Sequence, residues 1–585
     1  MPFARSEPMK LRTLRRRPQV QGTDSLPQDL HPVLRRVYRA RRIEDSAELD
    51  RRLSGLIRVD DLTGIEHAAA LLAQAVVVRA RILVVGDFDA DGATSCALAV
   101  RLLRAMGAAH VDYLVPNRFE FGYGLTPEIV EVAVDRRPDL LITVDNGIAS
   151  LDGVAAARQR GWQVLITDHH LPGRQLPAAD AIVNPNLQGD RFPSKNLAGV
   201  GVIFYVLAAL RAELRERGWF EAQNLDAPNM AGYLDLVAVG TVADVVPLDR
   251  NNRILVAQGL QRVRRRECVP GVQALLAVAG RDVEKVTAAD LGFAVGPRLN
   301  AAGRLEDMSI GIECLLTDEP GQARELAVVL DGMNQERRGI EARMKDQAQC
   351  VVESMTGLDR EDLPYGLCLY DPQWHQGVVG IVAARIREQY HRPVIAFAPG
   401  GDGCIKGSAR SVRGLHIRDA LDGVATRNPG MVGKFGGHAM AAGLTLEADR
   451  FEQFSAAFDQ EVRRRCGPED LEDVLFTDGE VGSEALTLEL AALLRDAGPW
   501  GQAFPEPVFD GEFDVLRQKV VGEHHLKMTL RPEPGGGQVD AIAFRLDEER
   551  LNIAHERIRA AYRMDVNHYA GRTRLQLVVE YFEPV

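Results

Sequence analysis

No two cysteines in this chain are spaced as CxxC. The seven lie scattered at Cys96, Cys268, Cys314, Cys350, Cys368, Cys404 and Cys466. That spacing argues against a thiolate metal site, and an odd count in a chain of 585 residues reads as reduced thiols in a cytosolic protein. Long apolar runs are missing too. The most apolar one, LAGVGVIFYVLAAL at 197–210, is too short to span a bilayer, so a soluble cytoplasmic protein without a membrane partner is expected. No apolar stretch follows Arg12, Arg15, Arg16 and Arg17, which argues against a secretory signal. Positive charge is not in excess: 70 Lys and Arg face 82 Asp and Glu, a net charge of -12. That excludes a uniformly basic nucleic-acid coat but leaves room for a local basic groove. There is no Walker A pattern, and AGVGVIF (198–204) lacks the third glycine of a dinucleotide fingerprint, so neither ATP nor NAD is indicated. Internal repeats and low-complexity tracts are absent.

What is present suits about three or four domains at roughly 150 residues each. Arg35, Arg36, Arg39, Arg41 and Arg42 give the first 50 residues either a solvated helix face or a basic arm. From residue 81, short apolar runs alternate with helical stretches. RILVV (81–85), VDYLV (111–115), LLITV (140–144) and WQVLI (162–166) are separated by helices predicted near 92–106, 126–135 and 150–160. Continuous apolar strands joined by helices predict a doubly wound α/β domain with a parallel sheet covered on both faces. Residues 321–355 read as one long polar helix with a discontinuous apolar stripe, fit to connect two domains or to pack on one. A second α/β region follows, with GLCLY (366–370), a helix near 377–389 and PVIAFA (393–398). The tail has short strands such as FDVLRQKVVG, HLKMTLRP, VDAIAFRL and LQLVVEYFEPV, which predict a small β-barrel or sandwich.

The strongest chemical signal is GDFDADG (86–92), which places Asp87, Asp89 and Asp91 directly after a strand. A calcium loop of the EF-hand type is excluded: its twelfth position is Leu98 and a strand, not a helix, precedes it. One Asp after a strand is often only a helix cap. Three alternating ones are harder to explain so, because two carboxylates 4 Å apart repel by roughly 4 kcal/mol at an effective dielectric of 20. Such a cluster points to bound cations, raised pKa values, or both. Asp145 in TVDNG and Asp168, His169 and His170 in TDHH end two further strands. Ligands of open parallel sheets bind outside the carboxyl ends of the strands, so the three clusters should face one crevice. Asp244, in VAVGTVADVVP, is a weaker candidate that also reads as a helix-terminal Asp. Carboxylates with imidazole and no thiolate suit Mn²⁺ or Mg²⁺, with Zn²⁺ still open, and fit two ions that share a ligand in phosphoryl chemistry. Downstream, GPRLNAAGR (Arg298, Asn300, Arg304), KGSARS (Lys406, Ser408, Arg410) and GGHAMAAG (His438) each read as an anion site or as a glycine-rich turn.

GDFDADG, TVDNGI, TDHH and GTVAD, in this order, resemble the four motifs of the DHH phosphoesterase superfamily. GPRLNAAGR, WHQGVVGIVAARI, KGSARS and GGHAMAAG are similar to motifs of its RecJ family, single-strand-specific 5′→3′ DNA exonucleases. The resemblance runs from about residue 50 to the C-terminus. It implies a DHH domain at 51–320 after an N-terminal arm at 1–50, a connecting helix at 321–355, a DHHA1 domain at 356–465 and an OB-like nucleic-acid-binding barrel at 466–585. It implies two divalent ions, Mn²⁺ or Mg²⁺, held by Asp89, Asp91, Asp145, His169 and Asp244, with Asp145 bridging. Many members carry a His where this chain has Val85; here Asp87 appears instead, as in RecJ-like members. By the same resemblance His170 would sit beside the scissile phosphate, Asp168 would orient a histidine, and Ser408 and Arg410, with Arg298 or Arg304, would grip a 5′-phosphate. Phe513 and Tyr581 are the exposed aromatics expected on the barrel. The implied activity is removal of 5′-mononucleotides from single-stranded DNA in repair and recombination. Single-strand-binding protein and a RecQ-type helicase are the implied partners. The rival readings are a DHH phosphodiesterase for short RNA or cyclic dinucleotides, a pyrophosphatase, and a DNA-binding scaffold without catalysis.

Overall fold

The computed structural model describes residues 12–18, 22–117, 121, 124–355, 363–533, 535–546, 551, 555–569 and 571–585. Residues 1–11 of the expected arm and 356–362 at the start of the expected second α/β domain lie outside the described residues. The chain forms two compact units, one of residues 16–334 with 477–585 and one of residues 12–15 with 335–476.

In the first unit, helices α1 (Pro32–Ala40) and α2 (Ile65–Val77) precede the sheet. The sheet and its helices follow as β1 (Arg81–Gly86), α3 (Ala90–Ala105), β2 (His110–Leu114), α4 (Pro127–Ala133), β3 (Leu140–Val144), α5 (Leu151–Gln159), β4 (Gln163–Thr167) and β5 (Ala181–Val183). All four strand pairs are parallel, in the order β2-β1-β3-β4-β5. Alternate residues face opposite layers, as the pleat requires. Ile82, Val84, Leu140, Ile142 and Leu165 join the core of α2, α3 and α6 (Gly199–Glu216). Leu83, Val85, Leu141, Val164 and Ile166 pack with Ile129, Val130, Val154 and Ala157 of α4 and α5. Burial on both sides explains why these strands read as unbroken apolar runs. The order reverses between β1 and β3, and that switch point opens a crevice beyond the strands' carboxyl ends. Further helices, among them α7 (Leu234–Ala243) and α8 (Gly296–Leu305), close the layer around α3.

Helix α9 (Pro320–Met355) is the expected long helix, and the chain passes within it from one unit to the other. In the second unit β6 (Leu367–Tyr370), α10 (Val379–Tyr390), β7 (Val394–Gly401), β8 (Cys404–Arg410), α11 (Ile417–Arg427), β9 (Lys434–Gly437), β10 (Ala441–Glu447) and α12 (Phe451–Arg465) form a second α/β layer structure. Its sheet has the order β9-β10-β8-β7-β6 and is parallel only between β6 and β7.

The C-terminal strands β11 (Phe509–Val521), β12 (His525–Pro532), β13 (Val539–Ala543), β14 (Arg557–Tyr569) and β15 (Arg572–Pro584) close into a barrel of order β11-β12-β13-β15-β14. Phe513 and Tyr581 correct the sequence expectation: they are 1% and 2% exposed and buried rather than displayed. Phe513 joins the barrel core, whereas Tyr581 and its neighbour Phe582 are both buried beside a break in the register between β14 and β15. An aromatic that the barrel does expose is Phe544. Among the described residues no helix is long and apolar enough to cross a membrane.

Four arginines of the N-terminal segment are committed within the first unit. Arg35 and Arg39 pair with Asp24, Arg36 donates to the Glu480 carbonyl, and Arg41 holds Asp478 through two hydrogen bonds of 2.8 and 3.1 Å. The Arg41 and Asp478 side chains are 2% and 0% exposed. Removing one partner of such a pair strands a buried charge. Asp478→Ala is therefore expected to cost ~3–5 kcal/mol, seen as a clear fall in melting temperature. A melting temperature within about 1 °C of the parent would contradict this.

Candidate metal centre

Strand β1 delivers GDFDADG to the crevice, and its aspartates have distinct local tasks. Asp89 is the N-cap of α3: its Oδ1 accepts from the Asp91 and Gly92 amides at 2.9 and 3.0 Å. Asp91 accepts the Gly199 and Val200 amides at 2.6 and 2.9 Å, so the first amides of α6 face a carboxylate of the same chain. The AGVGVIF segment is thus an anion-binding helix start whose anion is Asp91. Asp145 follows β3 in the left-handed region, φ 62°. That conformation is uncommon for a residue with a side chain and collects at functional sites. Gly199 makes room for it: a Cβ there would lie 2.5 Å from the Asp145 Cβ. Asp244 stands at the C-cap of α7, where the helix dipole disfavours a carboxylate.

These residues converge. Ligand atoms of Asp87, Asp89 and Asp145 lie within 4.8 Å of one another, as do those of Asp91, His169 and Asp244, and those of Asp145, His169 and His170. The His169 Nε2 is 3.1 Å from Asp145 Oδ1 and 3.5 Å from Asp244 Oδ2. Asp87, Asp91 and Asp145 are 4%, 1% and 2% exposed. Burial, then the charge of Asp89, pushes Asp91 up to about 7. Burial, then the neighbouring carboxylates, holds Asp145 and Asp244 well above the usual carboxylate range. Desolvated carboxylates so close together are what divalent cations neutralise, and with one or two imidazoles and no thiolate these residues can hold hard or borderline cations.

Asp168 serves differently. Its Oδ1 lies 2.7 Å from the His170 Nδ1 and accepts both histidine amides, while Oδ2 accepts the Ile148 amide at 2.9 Å. Burial opposes its charge, but His170 outweighs burial and Asp168 lies below its ordinary value. Burial likewise opposes a charged His170, and Asp168 outweighs it, so His170 is raised. The pairing favours the protonated form of His170.

The downstream candidates divide. Asn300 Oδ1 accepts the Ala90 amide at 2.8 Å and so positions the Asp89 turn. Arg298 is buried, donates to the Ala294 carbonyl and pairs with Asp331 at 2.7 Å. Both are phosphate candidates in the sequence, and in the structure they also hold α8 and the β1 turn in place. Arg304 lies half-buried at the end of α8. In the second unit Lys406, Ser408 and Arg410 alternate along one side of β8, with Ile405 and Ala409 inward on the other. Arg410 pairs with no carboxylate among the described residues and donates to the Ala409 carbonyl. Burial, then the charge of Arg387, lowers it from its ordinary value. Gly380, at the start of α10, is so close that a Cβ there would lie 2.9 Å from an Arg410 guanidinium nitrogen and 3.5 Å from Ser408. His438 is exposed between β9 and β10.

Two residues at the centre carry no motif signal. Asn184 and Asn186, after β5, donate to the carbonyls of His170 and His169. Only the pairing of two asparagines around a proline marks them.

Residues 81–241 match the DHH family, N-terminal domain, residues 363–464 the DHHA1 domain, and residues 477–581 the RecJ OB domain. The fold and the carboxylate–histidine cluster are those of the DHH class. The single-stranded-DNA-specific exonuclease RecJ of Escherichia coli strain K12 is 53% identical over 579 residues, 99% of this chain and all of that protein. The crystal structure of RecJ from Thermus thermophilus in complex with Mn²⁺ is 29% identical, with a TM-score of 0.78 over 98% of this chain and 80% of that one. The structure of the same protein with Mg²⁺ is 27% identical, with a TM-score of 0.73 over 98% and 79%. The chain belongs to the RecJ family.

The raised carboxyls set a pH test. In the metal-free fold, Asp91, Asp145 and Asp244 keep protons that the unfolded chain releases near pH 4. The stability they lend is present at low pH and lost as pH rises through their folded values, about 7 for Asp91. Metal binding requires the ionised forms. The rise in melting temperature caused by Mn²⁺ should therefore be larger at pH 8 than at pH 5.5. An equal rise at both would contradict the ionisation assigned to the cluster.

Proposed function

We propose that this protein is a metal-dependent exonuclease that degrades single-stranded DNA in the 5′→3′ direction and releases 5′-mononucleotides. The observation that carries the reading is the set of three overlapping ligand groups at the switch point of the sheet, in a chain of the RecJ family. Asp89, Asp91, Asp145, His169 and Asp244 would hold two divalent ions, Mn²⁺ or Mg²⁺, with Asp145 common to both and Asp87 beside it. Bound divalent ions supply an activated water and neutralise charge on the scissile phosphate. His170, whose protonated form Asp168 favours, would face the developing negative charge and give up a proton from its ring. Lys406, Ser408 and Arg410, with His438 bonded to the Ala441 that pairs with Arg410, form the seat for the terminal 5′-phosphate, which sets polarity because the gripped end is the end cut. Membership of the RecJ family supports division into the DHH, DHHA1 and OB segments at 51–320, 356–465 and 466–585, with roles in repair and recombination. It likewise supports single-strand-binding protein and a RecQ-type helicase as partners.

With a net charge of -12, the path for DNA must be local. The barrel supports one. Arg517, Lys519 and Lys527 are exposed and pair with no carboxylate among the described residues, and Lys519 sits directly opposite Lys527. Like charges facing across strands destabilise a sheet, which fits a surface made to meet a polyanion. Phe544 is 50% exposed and offers a ring on which a base can stack.

The test uses a 3′-labelled single strand with a 5′-phosphate, and its duplex, with Mn²⁺. Progressive shortening of the single strand alone is expected, with a loss of about 10²–10³-fold or more in Asp145→Ala. Digestion that survives Asp145→Ala, or equal loss of the duplex, would overturn the reading. Arg410→Ala should raise KM for 5′-phosphorylated strands by about 10-fold or more and leave strands with a 5′-hydroxyl little changed, consistent with a charged hydrogen bond of about 1.5–3 kcal/mol. An equal effect on both ends would remove Arg410 from the phosphate seat.

A further inference from the structure

The His169–His170 dipeptide lies beyond the end of β4 and belongs to no helix or strand. Its two amides and two carbonyls therefore need partners that secondary structure does not supply. Side chains provide all four. Asp168 Oδ1 accepts the amides of His169 and His170 at 2.7 and 3.1 Å. Asn186 Nδ2 donates to the His169 carbonyl at 2.6 Å, and Asn184 Nδ2 donates to the His170 carbonyl at 2.9 Å. The asparagines brace each other, because Asn184 Oδ1 accepts the Asn186 amide at 2.8 Å. Behind them Lys195 Nζ donates to the Pro185 carbonyl at 2.7 Å and to Asp190 Oδ1 at 2.8 Å. Asn184 has no solvent exposure, so its hydrogen bonds are made where water cannot substitute for them.

The two histidines face different groups. His169 Nε2 points at Asp145 and Asp244, whereas His170 Nδ1 is bound to Asp168. The His169 carbonyl lies in the peptide plane between the two histidines, and the His170 carbonyl in the plane after His170, so Asn184 acts on His170 alone. Loosening of the shared plane falls chiefly on His169, because His170 is also held by Asn184 and by the bond of its ring to Asp168. We propose that Asn184 and Asn186 are positioning residues with separable tasks. Asn186 aims His169 at the metal ligands, and Asn184 aims His170 at the reacting phosphate. This rests on reading the cluster as a divalent-metal centre that cuts DNA.

The test is Mn²⁺ binding, by titration calorimetry and by the electron paramagnetic resonance of free Mn²⁺, to the full chain and to Asn186→Ala and Asn184→Ala. Residues that orient a metal ligand are worth about 10–100-fold in affinity. Asn186→Ala should weaken Mn²⁺ binding by that factor and recover most of its kcat when Mn²⁺ is raised to saturation. Asn184→Ala should bind Mn²⁺ within about twofold of the parent and lose about 10-fold or more in kcat that added Mn²⁺ does not restore. If Asn184→Ala gives no cooperative melt, Asn184→Ser keeps a donor on a shorter arm and should show the same pattern, less steeply. Unchanged Mn²⁺ affinity in Asn186→Ala overturns its assignment, and unchanged kcat in the Asn184 variant overturns the other. A parent chain that binds no Mn²⁺ would instead overturn the metal reading beneath both.

Discussion

Mutual repulsion among desolvated carboxylates organises the first unit. Asp87, Asp91 and Asp145 are buried within reach of Asp89 and Asp244, and none of these charges is comfortable alone. The fold around them spreads the strain. Asp89 commits one oxygen to the start of α3, Asp91 commits both to the start of α6, and Asp145 is accommodated because residue 199 has no side chain. The positive ends of two helices therefore meet at the same crevice, and what they leave uncompensated is a site for cations. The switch in strand order between β1 and β3 is what brings Asp89 and Asp145 face to face from positions far apart in sequence.

The histidines complete this arrangement from a different direction. They end β4, one strand further along the sheet, and their backbone is pinned entirely by side chains. A dipeptide held this way keeps the direction of its side chains, which suits the proposed division in which one ring meets a metal and the other a phosphate. The Asp168–His170 pair follows the same logic: each raises the other's tendency to stay charged against the cost of burial.

Much of this was legible in the sequence, for a physical reason. Strands buried on both faces produce unbroken apolar runs, so β1 to β4 and the acidic turns after them are visible as pattern. The carbonyl clamps of Asn184 and Asn186 were not legible, because a buried amide that braces a loop looks like any turn asparagine until its partner is known. Arg298 and Asn300 carry a second part that spacing does not show: beside the anion-site pattern of their sequence, they pair with Asp331 and accept the Ala90 amide. Phe513 is buried by strand register, which pairing decides, and Tyr581 is buried beside a break in that register, which no sequence pattern shows. Strand β14 escaped the pattern altogether, since its arginines alternate only in part with small and apolar residues.

If the buried carboxylates bind two divalent ions, one on each side of Asp145, as proposed above, both should be visible in a crystal. Anomalous diffraction at the manganese edge, from crystals of this protein grown with Mn²⁺, tests it most directly. Two peaks are expected, one among Asp87, Asp89 and Asp145 and one among Asp91, His169 and Asp244, with an Asp145 oxygen near both. Crystals that diffract well, hold Mn²⁺ in the mother liquor and show no anomalous peak in the cluster would contradict it.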